Sequence, residues 1–194
     1  MLKYFLFYKP YQVLCQFSPE GEKQTLMDYF PGLQKDIYPV GRLDFDSEGL
    51  LLLTNDKQLT HQLLEPKFAH SKTYWAQVEG EVTEKSLQQL RSGVVINISG
   101  KQYKTKPAQA IALKNEPDVP ERNPPIRYRA NIPTTWIALT ITEGKNRQVR
   151  RMCAVVGFPV LRLVRNSIGK VNLNGLQPGE WIEATADVKT KLIH

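Results

Sequence analysis

The segment from Gly41 to Asp56 constrains the fold more than any other stretch of this 194-residue chain. A polar turn that contains Arg42 and Asp44 is followed directly by the apolar run Leu50 to Leu53. A short apolar run bounded by turn residues predicts a fully buried strand. Loops anchored by a rigid strand often present catalytic groups. Taken alone, however, an Arg-x-Asp segment before a strand is more often a surface turn with a local ion pair.

The composition, 41% hydrophobic and 23% charged, is ordinary for a globular protein. No apolar run approaches the roughly 18 residues that cross a bilayer. The apolar start Met1 to Pro10 lacks a small-residue cleavage site, so it predicts a strand and not a signal peptide. Cys15 and Cys153 predict neither a disulfide framework nor a cysteine metal site. We therefore expect a protein of the reducing cytoplasm.

Basic residues are concentrated in the second half of the chain. The stretch from Pro117 to Lys170 holds ten basic residues against three acidic ones, which accounts for the whole net charge of +7. Eight of the ten arginines lie there, including Arg122, Arg127, Arg129 and Arg162. Because the guanidinium fork suits phosphates and base edges, this field predicts a nucleic-acid partner. The alternative is a generally solvated basic face.

Periodicity and turn signals predict strands and helices without a regular β-α-β alternation. The predicted strands are Lys3–Tyr8, Val13–Phe17, Leu50–Leu53, Lys72–Val78, Ala108–Leu113, Trp136–Ile141, Leu161–Val164 and Trp181–Ala184. The predicted helices are Thr25–Phe30, Lys57–Leu64, one from Thr83 to Gly93, and one that follows Asn146 and ends at Gly157. The proline-rich stretch Pro117 to Pro133 should be a long loop. The pattern predicts an α+β fold with a largely antiparallel sheet.

A second polar segment, Glu143 to Gly157, predicts a strand-to-helix junction. Gly144 should permit the turn, and Asn146 should cap the helix. The apolar residues at helical spacing should form a buried stripe; they are Val149, Met152, Cys153 and Val156. An arginine face on another side of the same helix predicts an anion-binding surface.

The arginines of this helix differ in their expected surroundings. Arg150 lies nearest the apolar stripe, so we expect it to be partly buried and to need a carboxylate partner, for which Asp44 is the candidate. Arg151 should either contact phosphate or be solvated. Arg147 follows the same helical spacing and should contact phosphate.

Three segments in this order resemble the pseudouridine synthases that act on ribosomal RNA, in the branch of the small-subunit enzyme and its large-subunit relatives. They are Gly41–Asp56, Lys72–Gly80 and Glu143–Gly169. Many members begin with a small RNA-binding domain. Because the first catalytic strand here starts at Leu2, we expect that domain to be absent and one catalytic domain to cover residues 1–194. Two subdomains that flank the cleft are an open alternative.

The resemblance implies a mixed, mainly antiparallel sheet with flanking helices and a central active-site cleft. It implies that Asp44 is the essential catalytic aspartate, that Arg150 pairs with it, and that Tyr74 packs against the target uracil. The other implied substrate contacts are Leu163, which would enclose the base, and Arg42, which would face the RNA. From the arginine field we also expect Arg147, Arg151 and Arg165 to bind RNA. The implied partner is 23S ribosomal RNA near the peptidyl-transferase region, bound by a monomer.

Isomerisation of uridine to pseudouridine needs neither a redox cofactor nor a metal, and the scattered histidines (His61, His70, His194) predict no metal site. One ionised carboxylate is needed, either to attack the sugar or to remove a proton beside the anomeric carbon. Tyr74 either only stacks or also relays the carbon 5 proton. Two rivals remain: a non-catalytic rRNA-binding factor and a metal-dependent nuclease, which would want clustered acids and a divalent ion.

Overall fold

The computed structural model describes residues 1–126, 132–173 and 175–193; Arg127, Arg129 and His194 lie outside this part of the chain. The strands are β1 Tyr4–Lys9, β2 Val13–Leu14, β3 Gln24–Thr25, β4 Tyr38–Pro39, β5 Glu48–Thr54, β6 Lys72–Glu79, β7 Val95–Ile98, β8 Lys101–Lys104, β9 Gln109–Ala112, β10 Thr134–Ile141, β11 Val160–Ile168, β12 Val171–Asn172 and β13 Trp181–Ala184. The α-helices are α1 Leu26–Tyr29, α2 Lys57–Leu64, α3 Glu84–Ser92, α4 Gln148–Val155 and α5 Val188–Ile193. No helix among the described residues is long and apolar enough to span a membrane.

The chain divides into two compact units. The first unit contains residues 1–70 and the chain from Arg165 onwards, and the second unit contains residues 71–164. Strand β11 therefore starts in the second unit and ends in the first. The described strand pairs are antiparallel apart from the short parallel pair of β2 and β3. This confirms the predicted α+β class with its mainly antiparallel sheet.

The first unit is organised around the central strand pair β1 and β5. Its strands lie in the order β13, β1, β5 and the end of β11, and β1 is antiparallel to both β13 and β5. Every residue of β1 and β5 is buried, which confirms the buried strand predicted from the run of leucines. One face carries an aromatic core in which the rings of Phe7 and Phe30 meet edge to face at 5.1 Å.

The second unit packs α3 and α4 on a sheet with the order β11, β6, β10, β9. Strand β10 is antiparallel to both β6 and β9. Ala76 and Val78 of β6 lie in the core, and Tyr74 packs against it, as the predicted alternation of faces requires. A separate hairpin of β7 and β8 was not expected from the sequence; its inward residues are Ile96 and Tyr103.

Most other predicted elements are present with small changes in length. Helix α2 has the predicted bounds, and α3 begins after the predicted N-cap Thr83 and ends at Gly93. The strand predicted over Val13–Phe17 is wrong beyond Leu14, because the chain turns there. The described part of the proline-rich loop, residues 117–126, contains no helix or strand, which agrees with the prediction.

Gly49 lets two strands of the first unit approach closely. Its φ is +110°, and a Cβ atom there would lie 2.4 Å from the carbonyl oxygen and 2.6 Å from the amide nitrogen of Arg165. Real side chains do not tolerate such distances, and the clashing atoms are backbone. Only glycine therefore fits this position of β5.

We predict that Gly49→Ala lowers the free energy of unfolding by roughly 3 kcal/mol or more, because the methyl group must displace backbone. Gly32→Ala is the matched control, since its φ is +78° and a Cβ there would meet nothing within 4 Å. The control should lose only about 1 kcal/mol from its left-handed backbone. Urea unfolding of both variants measures the difference. Equal losses would contradict the close approach.

Candidate active site

The turn that carries Asp44 is fixed by its backbone at the start of β5. Its anchoring hydrogen bonds run from Ser47 N to Asp44 O (3.0 Å), from Gln12 N to Phe45 O (2.8 Å) and from Leu43 N to Cys15 Sγ (3.2 Å). Two of these bonds come from the segment that follows β1. The backbone on both sides of the aspartate is thus held by residues far away in the sequence.

The side chains of this turn differ in their exposure to solvent. Leu43 is buried, Asp44 is half-buried and Arg42 is exposed. Leu43 therefore anchors the turn in the first unit, while the carboxylate of Asp44 stays partly accessible. Exposure of Arg42 is compatible with its predicted contact with RNA, which stays a prediction.

Lys9 adds a buried positive charge that the sequence did not identify. Its side chain is 0% exposed, and Nζ donates hydrogen bonds to the carbonyls of Pro10 (2.8 Å) and Val13 (2.9 Å). Burial lowers the pKa of Lys9 to about 8, against the opposing effect of nearby groups that include the carboxylates of Glu48 and Asp44. Lys9 is therefore still largely protonated at neutral pH and places a positive charge near the turn.

Cys15 and Arg165 occupy the same region of the first unit. Burial raises the pKa of Cys15, so the sulfur that accepts from Leu43 N is a thiol at neutral pH. The side chain of Arg165 is only 4% exposed, and its Nε donates to the carbonyl of Leu50 at 2.8 Å. The structure thus gives Arg165 a role in the fold that the sequence interpretation did not include. Its predicted contact with RNA is untested.

The second unit presents the start of α4, where two details of the prediction are wrong. The N-cap residue is Arg147, with a left-handed backbone (φ 51°, ψ 31°), and Asn146 does not cap the helix. Gly144 does not have a positive φ, so the sharp change of direction falls on an arginine. The predicted end is confirmed, since Gly157 adopts φ +94° directly after the C-cap.

Arg150 is partly buried, as predicted from its place beside the apolar stripe. Its Nη1 donates to the carbonyl of Val160 at 3.1 Å. Met152 and Cys153 are fully buried, and burial raises the pKa of Cys153 to about 12, which leaves an inert thiol. Asp44 belongs to the first unit and Arg150 to the second, and their pairing stays a prediction.

Two further arginines of the basic field donate to backbone carbonyls. Arg151 donates from Nη1 to the carbonyl of Asn97 in β7 (2.5 Å) and from Nε to the carbonyl of Asn146 (3.1 Å). Arg162 is 5% exposed and donates from Nη2 to the carbonyl of Pro120 (2.8 Å). The number of arginines in this region is therefore larger than the number of guanidinium groups that are available to bind a polyanion.

The two predicted apolar contacts with the base belong to one core. Leu163 of β11 is buried in the core of the second unit, and Tyr74 of β6 packs against that core from a half-buried position. Tyr74 lies opposite Leu139 of β10. Tyr74 thus combines an apolar back with a partly accessible ring, which suits stacking on a base.

In the described ranges no group of three or more His, Cys, Asp or Glu side chains is arranged to hold a metal ion. The arrangement offers single polar groups on fixed backbone, which fits acid–base or nucleophilic chemistry by one carboxylate.

Relatives of one kind match this chain in sequence. A family profile described as RNA pseudouridylate synthase matches residues 3–155. Ribosomal large subunit pseudouridine synthase E of Vibrio parahaemolyticus is 52% identical over 181 residues, which are 93% of this chain and 73% of that protein. The protein of the same name from Xanthomonas campestris is 49% identical over 175 residues, 89% of this chain and 90% of the relative.

The fold matches a solved structure as well. A crystal structure of pseudouridylate synthase superposes with a TM-score of 0.81 at 29% sequence identity. The match covers 99% of this chain and 74% of the other. The likeness in fold therefore extends beyond the residues that the family profile covers.

We predict that the free energy of unfolding of the wild type rises relative to that of Lys9→Met between about pH 8 and pH 10.5, because of Lys9. The unfolded chain keeps the lysine proton up to its ordinary pKa of 10.5, whereas the folded protein releases it near 8, so raising the pH favours folding. This difference should grow by roughly 2–3 kcal/mol. Comparison with the variant removes the opposite effect of Cys153, whose raised pKa favours unfolding above pH 9 in both proteins. Denaturant unfolding across this range measures it.

The matched control is Lys57→Met, which removes an exposed lysine at the start of α2. This variant should keep the pH dependence of the wild type. Parallel curves for wild type and Lys9→Met would show that the buried ammonium does not titrate as described.

Proposed function

The chain belongs to the RNA pseudouridylate synthase family, and we propose that it isomerises a uridine of large-subunit ribosomal RNA with Asp44 as its essential carboxylate. It is an enzyme, an RNA pseudouridine synthase. The large subunit is supported as the source of the substrate by the names of the Vibrio and Xanthomonas relatives. The finer target is 23S ribosomal RNA near the peptidyl-transferase region, bound by a monomer.

One observation carries the role of Asp44. Its backbone is anchored on both sides by hydrogen bonds from Gln12 N and to Cys15 Sγ, while its side chain is half-buried. A catalytic group must be held close to the productive geometry and still reach the substrate. Glu48 is buried in β5, whereas Asp44 and Asp46 are both half-buried. We choose Asp44 because the resemblance of the Gly41–Asp56 segment to the pseudouridine synthases implies it.

The reaction breaks one bond to the sugar and forms another. The bond between N1 of uracil and C1′ of ribose breaks, the base rotates, and C5 bonds to C1′. The proton leaves C5 and N1 gains one, so that atoms balance and no electron acceptor is needed. The carboxylate of Asp44 either attacks C1′ and later departs, or removes a proton beside C1′ and later returns it.

The remaining contacts follow from the same chemistry. The target base must leave its stack to reach a carboxylate, and aromatic or apolar side chains hold such a base. Tyr74 would stack on the uracil and Leu163 would form part of the apolar wall behind it. Arg150 would pair with Asp44 and favour its ionised form, since an opposite charge at close range does so.

We predict that Asp44→Asn abolishes pseudouridine formation but leaves the affinity for RNA within about twofold of the wild-type value. The reason is that one half-buried carboxylate contributes little to the binding of phosphates. Carbodiimide-resistant stops on transcribed 23S ribosomal RNA report the product. Filter binding to the same transcript reports the affinity. Loss of both would make Asp44 a structural residue.

Asp46→Asn is the matched control, since Asp46 lies in the same turn and has no proposed catalytic role. It should retain measurable pseudouridine formation. Pseudouridine formation by the wild-type protein should also persist in EDTA. If EDTA abolished the activity of the protein on RNA, a metal-dependent nuclease would be favoured.

We predict that Arg147→Ala weakens RNA binding and lowers the slope of log affinity against log salt by about 0.7–0.9, the contribution of one phosphate contact. Binding to the 23S transcript at several salt concentrations measures this slope. Arg91→Ala is the control for equal loss of charge, because Arg91 of α3 donates to the carbonyl of Ala110 and pairs with Glu84. Equal slopes in the two variants would remove Arg147 from the RNA-binding surface.

A further inference from the structure

A buried carboxylate joins β8 and the residues that follow it to the start of α4 in the second unit. The side chain of Glu143 is 6% exposed and accepts hydrogen bonds through both oxygens. Its Oε2 accepts from the hydroxyl of Tyr103 in β8 (2.5 Å), and its Oε1 accepts from the backbone amide of Lys106 (2.9 Å) and from Nε2 of Gln148 in α4 (2.5 Å). We call Tyr103, Glu143 and Gln148 the carboxylate bridge.

The carboxylate bridge holds the turn that leads into α4. The Oε1 of Gln148 accepts from the backbone amide of Lys145 at 2.9 Å, and the backbone amide of Gln148 donates to the carbonyl of Lys145 at 3.0 Å. The ammonium of Lys145 lies 5.0 Å from the ring centroid of Tyr103. The two bonds between Lys145 and Gln148 close the turn itself, and the contacts of Lys145 and Glu143 with Tyr103 connect it to the β7–β8 hairpin.

Arg147, which follows this turn, needs external support. Its left-handed backbone is unfavourable for a residue with a Cβ atom, and such conformations persist where the surroundings enforce them. No side-chain hydrogen bond caps α4 at Arg147. The contacts of the carboxylate bridge lie on either side of it, at Lys145 and Gln148. They restrain this strained position together with the hydrogen bonds that Arg151 donates to Asn146.

We propose that Tyr103, Glu143 and Gln148 are positioning residues for the RNA-binding arginine Arg147, an inference that rests on the proposed function. Tyr103 itself would touch neither the target base nor a phosphate. Its hydroxyl would act through Glu143 and Gln148 on the backbone of Arg147. The β7–β8 hairpin thereby becomes part of the substrate-binding apparatus without a direct contact.

The test is Tyr103→Phe, which removes the hydroxyl and keeps the ring beneath Lys145. We expect the dissociation constant for a 23S ribosomal RNA transcript to rise roughly fivefold, the net size of one ordinary hydrogen bond. In an Arg147→Ala background the same change should have no further effect on affinity. A side chain that only stabilises the fold would not show this dependence on Arg147.

Tyr4→Phe is the matched control. Tyr4 also donates its hydroxyl to a buried carboxylate, that of Asp56 at 2.9 Å, but it lies in β1 of the first unit. It should lower stability to a similar extent and leave RNA affinity unchanged. Thermal unfolding of all four variants separates stability from affinity.

Two results would overturn the inference. One is an unchanged dissociation constant in Tyr103→Phe, and the other is an equal loss of affinity with and without Arg147. Affinity is measured independently of catalysis, so the inference is decided even where no pseudouridine forms. Absence of product with the wild-type protein would instead overturn the proposed function.

Discussion

The antiparallel pairing of β1 with β5 fixes the position of the candidate catalytic turn. All residues of both strands are buried, so neither strand can shift its register without exposing apolar surface. The pairing ends at Lys9 opposite Gly49, next to the turn that carries Asp44. The segment that leaves β1 then supplies two of the three backbone anchors of that turn. Rigid strands thus hold a short polar loop, which is where precise chemistry is commonly placed.

Buried charge is used differently in the two units. In the first unit, Lys9 is a buried cation whose hydrogen bonds go to carbonyl oxygens and whose neighbours include carboxylates. In the second unit, Glu143 is a buried anion whose partners are a hydroxyl and amide groups. An ionised group that is removed from water must be satisfied by such partners. Glu143 thereby joins β8 to the turn before Arg147, whereas the hydrogen bonds of Lys9 stay within the segment that follows β1.

The arginine field illustrates the limit of composition as a guide to binding. Eight arginines within 54 residues indicated a polyanionic partner, and membership in an RNA-modifying family agrees with that. Yet Arg162 and Arg165 are almost fully buried, and Arg151 donates to carbonyls of two segments. Arginine offers five donors in a fixed fork and therefore serves equally well to join loops and strands. A count of arginines cannot separate these uses.

The sequence by itself determined the α+β class, the buried strand before Asn55, the bounds of α2 and the buried stripe of α4. These features follow from local periodicity and turn chemistry, which act over a few residues. Three matching segments in order also sufficed to indicate the family.

Only the tertiary structure decided the surroundings of the functional residues. That Lys9 is buried, that Gly49 must lack a side chain and that Arg147 adopts a left-handed backbone all depend on segments distant in sequence. Tyr103 and Glu143 are 40 residues apart, and no local pattern indicates that they share a hydrogen bond. The physical reason is that desolvation and hydrogen-bond satisfaction depend on every chain segment that packs around a group, whereas periodicity reflects only the segment that contains it.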